Sequence, residues 1–171
     1  MTKYLMQNMS ELKTELESTA FIAFSDCDPF RHLNNARYID YFLTAREQQL
    51  FEAYHFSLAE WGAKGKAWFV TQNLVAYLKP ANYAETVVMV SRILAFSDFD
   101  LHLEMVMWDK KKASIKSILW SKFSHIDLKE GKKIAHSQEL KDLFNAVHYQ
   151  EDNIELQDFD KRVEQLRSKP K

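Results

Sequence analysis

The sequence predicts an α+β fold in which a mostly antiparallel β-sheet wraps around one long, apolar helix. A broad apolar arc from Asn34 to about Tyr54 is typical of a largely buried helix. Four long strand-like segments follow, and no helical pattern separates one from the next. Strands joined by short connections pair antiparallel, and a long sheet of this kind needs cover on one face. The single apolar helix is the predicted cover.

Local signals place the elements before and within the helix. A first strand is predicted for Thr19–Ser25, and Asp28-Pro29 then marks a turn because proline biases the preceding residue away from helical angles. Asn34 or Asn35 is a favourable N-cap for the central helix. Residues 1–18 are mixed in character and predict a short helix, and residues 57–62 predict a further helical turn.

The four later strands are bounded by turn residues and apolar alternation. They are predicted at Trp68–Leu78, Thr86–Phe96, Leu101–Met107 and Ser114–Leu128. The tail predicts two helices, Gln138–Val147 and Glu151–Lys169. We therefore divide the chain into a main domain, residues 1–136, and a C-terminal helical extension of the same domain, residues 137–171. An apolar stripe on the last helix predicts docking on a partner subunit through Phe159, Val163 and Leu166.

Composition excludes several classes of protein. The chain has 171 residues, enough for one domain, and a formal net charge of −1, without the basic excess typical of nucleic-acid binders. Its one cysteine, Cys27, precludes an intramolecular disulfide and is interpreted as a packing residue. No segment has the pattern of a signal peptide or a membrane span, and no Cys/His spacing predicts a metal site. We expect a cytoplasmic protein.

The segment from Asp26 to Asn35 carries the chemistry. It places two carboxylates, Asp26 and Asp28, after a strand, with His32 four residues beyond the second carboxylate. Two asparagines then open the buried helix, where unpaired backbone N–H groups and a partial positive charge can stabilise an oxyanion. A carboxylate beside such a site can act as a nucleophile or a general base. The combination suits attack on a carbonyl such as a thioester.

Spacing alone favours a structural interpretation of the same residues. An Asp-x-Asp-Pro segment before a helix is a common turn, and paired asparagines are common helix caps.

The segment resembles the signature of the 4-hydroxybenzoyl-CoA thioesterase-like family, in which a DxDxxxHxNNxxY pattern opens the central helix. Asp26, Asp28, His32 and Tyr38 stand in register, as do both asparagines of the NN pair, and Tyr41-Phe42 and Ala45-Arg46 resemble the continuation. Further along, the resemblance extends to Phe69-Val70, Tyr77 and Pro80, so that it covers roughly residues 19–128. It implies the hot-dog fold, an antiparallel sheet wrapped around one long central helix.

The resemblance also implies roles for individual residues. Asp28 takes the position of the catalytic carboxylate, and the backbone N–H near Asn35 would polarise the carbonyl oxygen. His32 and Asn34 would position substrate or water, and Tyr38 would line the acyl pocket.

Other charged residues near this segment receive secondary roles. Asp26 is expected to brace the loop. Arg31 stands where the family usually has glycine, and it would bind a carboxylate or phosphate of the substrate or point outward. Asp40, on the helix, is a weaker choice of catalytic carboxylate. Lys110–Lys112 would meet coenzyme A phosphates or, as the pattern favours, form a solvated hairpin tip.

The implied function is hydrolysis of an acyl-CoA to a free acid and coenzyme A, without a metal or organic cofactor. Two alternatives stay open: a thioesterase acting on acyl-carrier-protein substrates, and a hot-dog protein that binds an acyl group or acyl-CoA without hydrolysing it. The resemblance further implies a homodimer or homotetramer with the site between subunits.

Overall fold

The fold is a six-stranded antiparallel sheet that curves around one long helix. The computed structural model describes residues 12–151 and 154–168. The strands are β1 (Glu15–Phe21), β2 (Lys66–Tyr77), β3 (Thr86–Phe96), β4 (Asp100–Asp109), β5 (Ile115–Asp127) and β6 (Lys132–Lys133). The helices are α1 (Tyr38–Tyr54), α2 (Leu58–Ala63), α3 (Gln138–Val147) and α4 (Phe159–Ser168), and short 3₁₀ turns span Phe24–Asp26 and Asn35–Arg37.

The strand order in the sheet is β1-β3-β4-β5-β2, with β6 paired to β5, and every pairing between strands is antiparallel. The meander β3-β4-β5 occupies the middle, as expected for strands joined by short turns. The chain crosses from one edge strand, β1, to the other, β2, through α1 and α2. This crossing carries α1 over the inner face of the sheet, so the predicted sheet around one helix is confirmed.

The inner face of the sheet and α1 form the main core. Tyr38, Phe42 and Ala45 of α1 pack against buried side chains of the central strands, among them Met89 and Met105. This contact explains why the apolar arc of the helix is broad, since the sheet curves around it. The core fixes where α1 begins and therefore positions the loop that precedes it.

The C-terminal helices cover two different parts of the sheet. Helix α3 contributes Leu140, Leu143 and Phe144 to a second cluster beneath the far half of α1. Helix α4 packs Val163 and Leu166 on the outer face of the sheet, in a third cluster. The expectation that this last stripe docks on a partner subunit is therefore wrong, because its apolar side chains are buried against their own sheet.

Some predicted boundaries also differ from the structure. The first strand ends at Phe21 because the 3₁₀ turn Phe24–Asp26 follows, and it begins earlier, at Glu15. Residues 15–18 are therefore strand where a short helix was predicted, and residues 1–11 of that predicted helix lie outside the described residues. The last helix begins at Phe159 and not at Glu151, while residues 152, 153 and 169 lie outside the described part.

Candidate functional site

A tight hairpin between β1 and α1 holds the candidate catalytic carboxylate. The backbone N–H of Asp28 donates to the His32 carbonyl at 2.8 Å, and the N–H of Arg31 donates back to the Asp28 carbonyl at 3.0 Å. Pro29 follows Asp28, where its fixed φ suits the second position of a turn. Arg31 closes the turn with φ 66°, in the left-handed region. The turn therefore brings Asp28 and His32 side by side.

The Asp28 carboxylate is oriented by this same hairpin. Its Oδ1 accepts hydrogen bonds from the backbone N–H groups of Phe30, at 2.9 Å, and His32, at 3.1 Å. A carboxylate has about four acceptor positions on two oxygens. Two bonds to one oxygen hold the group in place and leave it further capacity to bind a water or meet a carbonyl carbon.

The start of the central helix is fixed by side chains on both sides of it. Asn34 Oδ1 accepts from the Ala36 N–H at 3.0 Å, which is the predicted N-cap, and the Asn34 N–H donates to the Asp26 carbonyl at 2.9 Å. The carbonyl of Asn35 accepts from the Tyr77 hydroxyl at 3.0 Å. The first N–H groups of a helix have no acceptor within that helix. Asn35, the first residue of the 3₁₀ turn, therefore presents its N–H at a helix start.

Asp26 braces the loop, as the sequence predicts. Its carboxylate accepts from Arg37, at 3.1 Å from Nε and 2.8 Å from Nη2, and from the Tyr41 hydroxyl at 2.9 Å. These hydrogen bonds, from Arg37 first and Tyr41 second, hold the pKa of the Asp26 carboxyl below its usual value. Arg37 also pairs with Asp40 at 2.9 Å, on an exposed edge of the helix. Asp40 therefore belongs to a surface ion pair, and it is not among the lining residues of the pocket beside Asp28.

A pocket of about 250 Å³ opens beside this loop. It is lined by Asp28, His32, Leu33, Asn35, Tyr38, Tyr77, Leu78, Lys79 and Pro80. Four of the six predicted site residues thus share one pocket. The other two, Arg31 and Asn34, are not among its lining residues. Asn34 serves as the helix cap, and Arg31 lies with its guanidinium carbon 6.0 Å from the centre of the Tyr83 ring.

Two tyrosines form one wall of the pocket. The Tyr38 hydroxyl oxygen accepts from the Ala81 N–H at 3.1 Å, and its ring meets the Tyr77 ring edge-on, with centroids 5.1 Å apart. Burial raises the pKa of Tyr38, so its phenol stays protonated at neutral pH. Sequence reasoning did not give Tyr77 a role in the site, and it missed Lys79 altogether. No local signal marks them, because both lie far along the chain from the Asp28 hairpin, and the contact of Tyr77 with Asn35 spans 42 residues.

Other predicted roles can be placed in the structure. The Cys27 thiol donates to the Ala23 carbonyl at 3.3 Å, and burial, followed by the neighbouring carboxylates of Asp26 and Asp28, raises its pKa. It is therefore a protonated packing residue. Lys110–Lys112 form the turn between β4 and β5, and Lys112 pairs with Glu17, so the hairpin-tip interpretation holds.

Neither a metal centre nor a membrane-spanning helix is found in residues 12–151 and 154–168. Within these ranges no three His, Cys, Asp or Glu side chains lie close enough together to hold a metal ion. None of the helices there combines the length and the hydropathy needed to cross a bilayer.

The sheet wrapped around α1, with an acidic loop at the start of the helix, defines a hot-dog domain. Solved structures share this fold. DHNA-CoA thioesterase from Staphylococcus aureus superposes with a TM-score of 0.70 at 18% identity, over 77% of this chain and 87% of that one. YbaW, a probable thioesterase from Escherichia coli, gives a TM-score of 0.67 at 21% identity, over 78% and 99% of the two chains. The hypothetical protein SAV2348 from Staphylococcus aureus, solved in complex with CoA, gives 0.73 at 14% identity, over 84% and 90%.

The chain belongs to the Thioesterase-like superfamily, whose family model matches residues 22–144. This range includes the Asp28 hairpin, the central helix, and the strands β2 to β5. No functionally curated protein matches the sequence closely.

Proposed function

We propose that the protein hydrolyses acyl-CoA thioesters in the pocket beside Asp28. The observation that carries the proposal is the composition of this pocket: a carboxylate held by two backbone N–H groups shares it with the helix start at Asn35. Membership of the Thioesterase-like superfamily supports thioester hydrolysis. The CoA bound to a structural neighbour supports a coenzyme A substrate.

The chemistry follows from these groups. The thioester carbonyl oxygen accepts from the Asn35 N–H, which stabilises the negative charge that develops there. Asp28 either takes a proton from a water, whose oxygen adds to the carbonyl carbon, or adds to that carbon itself. In both routes the carbon–sulfur bond breaks, and the thiolate of coenzyme A leaves and takes up a proton. The second route forms an acyl-Asp28 anhydride that water then opens.

Neighbouring side chains would hold the substrate in place. His32 lines the pocket and can orient the attacking water, while Tyr38 and Tyr77 form an apolar wall for the acyl group. Asn34 caps the helix start and so helps to hold the Asn35 N–H in position. Lys79, at the rim, is the cation available to a phosphate of the substrate.

The test is release of free thiol from short, long and aromatic acyl-CoA thioesters by the wild type and by Asp28→Asn. The variant should lose roughly a hundredfold or more of kcat, the range for a lost acid–base group. Asp40→Asn is the matched control, because it alters an exposed carboxylate on the helix that follows the Asp28 hairpin, and it should retain turnover. If the wild type hydrolyses neither acyl-CoA nor acyl-carrier-protein substrates, the proposal is contradicted. The alternative that the protein binds an acyl group without hydrolysing it would then be favoured.

A single turnover in ¹⁸O-labelled water distinguishes the two roles of Asp28. If Asp28 is a general base, the label enters only the released acid. If it is a nucleophile and water opens the anhydride at the carboxyl carbon of Asp28, the label enters Asp28 and the acid leaves with an oxygen of Asp28. Opening at the acyl carbon labels the acid alone, and the nucleophile is then identified by the acyl-Asp28 adduct itself, which mass spectrometry of the rapidly quenched protein detects.

A further inference from the structure

A second cavity, of about 340 Å³, lies between the far half of α1, the sheet and α3, and it shares no lining residue with the Asp28 pocket. Its lining is mainly aliphatic and aromatic, with Leu50, Leu103, Phe123 and Phe144 among its members. Protein interiors are otherwise packed closely, and an apolar cavity of this size is within the range of small-molecule sites. Its shape and lining therefore suit an apolar ligand.

A buried arginine is one of the few polar residues in this mainly apolar lining. Arg46 lines the cavity, although only 7% of its surface is exposed. Its Nη1 donates to Ser91 Oγ at 2.9 Å, while its Nε is buried and has no hydrogen-bond partner in the described residues. Ser91 in turn donates to Gln49, so the acceptor that Arg46 has is a neutral hydroxyl. An arginine has five N–H donors and no means of losing its charge at neutral pH.

No carboxylate of the described chain forms an ion pair with Arg46 within 4.0 Å. Glu47 lines the same cavity, but its side chain is exposed to solvent. Tyr54, a further lining residue, is a neutral phenol, since burial raises its pKa to about 12. Burial lowers the pKa of Arg46 to about 10, which still leaves it charged at neutral pH. A buried charge without a counter-ion is costly, and an anionic ligand relieves that cost.

Another buried ionic centre of the protein has a different arrangement. Glu104 is fully buried on the outer side of the sheet, and it is paired with Arg92 and Arg162 and hydrogen-bonded to Trp120. There the partners of the charge come from the chain itself. At Arg46 they do not, and the space beside the charge is a cavity.

We propose that this cavity binds an aliphatic carboxylate, with the carboxylate on the guanidinium of Arg46 and the alkyl chain among the side chains of Leu50, Leu103 and Phe144. A carboxylate matches the planar fork of donors on arginine, and an alkyl chain matches the lining. Thr44 and Glu47 are lining residues on the exposed side of α1, so the ligand enters past them. The ligand is of the same chemical class as the acid that the proposed hydrolysis releases, but its binding does not depend on that reaction.

The test measures the binding of decanoate and of decanol, both below their aggregation limits. Calorimetry and tryptophan fluorescence, to which Trp68 in the cavity wall contributes, are the two readouts. Decanoate should bind saturably and about tenfold or more tightly than decanol, the range for a hydrogen bond to a charged group. Arg46→Met should remove that preference and leave decanol binding unchanged. Arg167→Met, which alters an exposed arginine at the end of α4, should bind decanoate as the wild type does.

Two further readouts distinguish a loss of ligand binding from a folding defect. Arg46→Met should fold well, because replacing a buried unpaired charge by an apolar side chain of similar length is usually neutral or stabilising. Decanoate should raise the Tm of the wild type but not that of Arg46→Met. Leu143→Trp, which fills the cavity from α3, should abolish binding of both ligands. Equal affinity of the wild type for decanoate and decanol, undiminished decanoate binding by Arg46→Met, or no saturable binding at all would overturn the proposal.

Discussion

At the residue scale, Arg31 occupies a backbone conformation that glycine adopts more easily. A φ of 66° destabilises a non-glycine residue by about 1 kcal/mol. The contact of Arg31 with the Tyr83 ring stabilises the protein by about 0.5 kcal/mol and offsets part of that cost. We predict that Arg31→Gly raises the free energy of unfolding by about 0.5 kcal/mol in urea titrations. Lys64→Gly is the control at a position with ordinary backbone angles and a comparable contact with an aromatic ring, that of Trp61, and it should destabilise the protein. A destabilised Arg31→Gly would show that the Arg31 side chain contributes more than its backbone costs.

Arg31 also separates structure from function. The sequence leaves two alternatives for this departure from the family pattern, binding of a carboxylate or phosphate of the substrate or an outward orientation. Its guanidinium carbon lies 6.0 Å from the centre of the Tyr83 ring, and the residue is outside the lining of the Asp28 pocket. A substrate-binding role therefore stays a prediction. We expect Arg31→Gly to raise KM for acyl-CoA without lowering kcat if the arginine meets a phosphate of the substrate, and steady-state kinetics at varied ionic strength would measure this.

His125 is a buried residue with a pH-dependent cost. Its ring is 1% exposed and stacks against both Trp68 and His136, and neither of its nitrogens has a hydrogen-bond partner among the described residues. Burial, with a smaller contribution from His136, lowers its pKa to about 4. In the unfolded chain His125 takes up a proton near its ordinary pKa of about 6.5. Its contribution to the free energy of unfolding is therefore fully present above that pH and is lost as the pH falls towards 4.

The corresponding prediction compares the wild type with His125→Phe. Between pH 7 and pH 4 the free energy of unfolding of the wild type should fall by about 3 kcal/mol more than that of the variant, which keeps the aromatic stack but cannot take up a proton. Urea unfolding at a series of pH values measures the difference. Parallel pH profiles for the two proteins would contradict the prediction.

At the scale of elements, helix α4 is held to the outer face of the sheet by a buried ionic cluster. Arg162 donates to Glu104 at 2.8 Å and 3.0 Å, and Arg92 donates to the same carboxylate at 2.7 Å. Burial opposes ionisation of Glu104, yet the hydrogen bonds and charges of the two arginines keep its pKa below the usual value. The cluster therefore joins β3, β4 and α4.

Removal of one partner should release much of that attachment. We predict that Arg162→Met costs about 3 kcal/mol of unfolding free energy, because Glu104 stays buried with one arginine fewer. The double variant Arg162→Met with Glu104→Met should recover part of this loss, since the buried carboxylate is gone and Arg92 keeps its ion pair with Glu15. Urea unfolding of both, with Arg167→Met as the exposed control, tests the prediction. A loss no larger than that of the control would show that apolar packing alone holds α4.

At the scale of the whole molecule, β2 forms one edge of the sheet within the described residues. This strand of 12 residues ends the strand order, and Phe69, Leu74 and Tyr77 on it are exposed. A long, apolar edge strand presents unpaired backbone groups to another chain. We propose that two copies pair through β2, which would bring the Asp28 pockets, each with Tyr77 in its lining, to the subunit boundary.

Sedimentation or light scattering would test this association. The wild type should be a dimer or a tetramer, and the double variant Phe69→Glu with Leu74→Glu should be smaller, because each change places charge on the pairing surface. Phe24→Glu, at a still more exposed aromatic residue outside the sheet, should leave the assembly unchanged. A monomeric wild type, or a double variant of unchanged size, would contradict the proposal.

Elements with a strong local pattern could be predicted from sequence alone. Strand Thr86–Phe96 and helix Gln138–Val147 have the predicted bounds, and the central helix lies where its apolar arc indicated. The cap at Asn34 and the brace at Asp26 also follow from residue type and position. Periodicity, capping and turns involve neighbours a few residues apart, and the sequence states those neighbours directly.

Contacts between distant parts of the chain were decided only by the tertiary structure. Tyr77 anchors Asn35, Arg162 binds Glu104 across 58 residues, and Arg46 lies beside a cavity that three layers of the fold enclose. The local pattern of α4 shows that its apolar stripe is buried, but it does not show whether the stripe packs on its own sheet or on the surface of a partner. The sequence by itself determined the order and type of the elements and the hairpin at Asp28. The curvature of the sheet around α1 determined which side chains meet, because those meetings depend on packing between residues that are far apart along the chain.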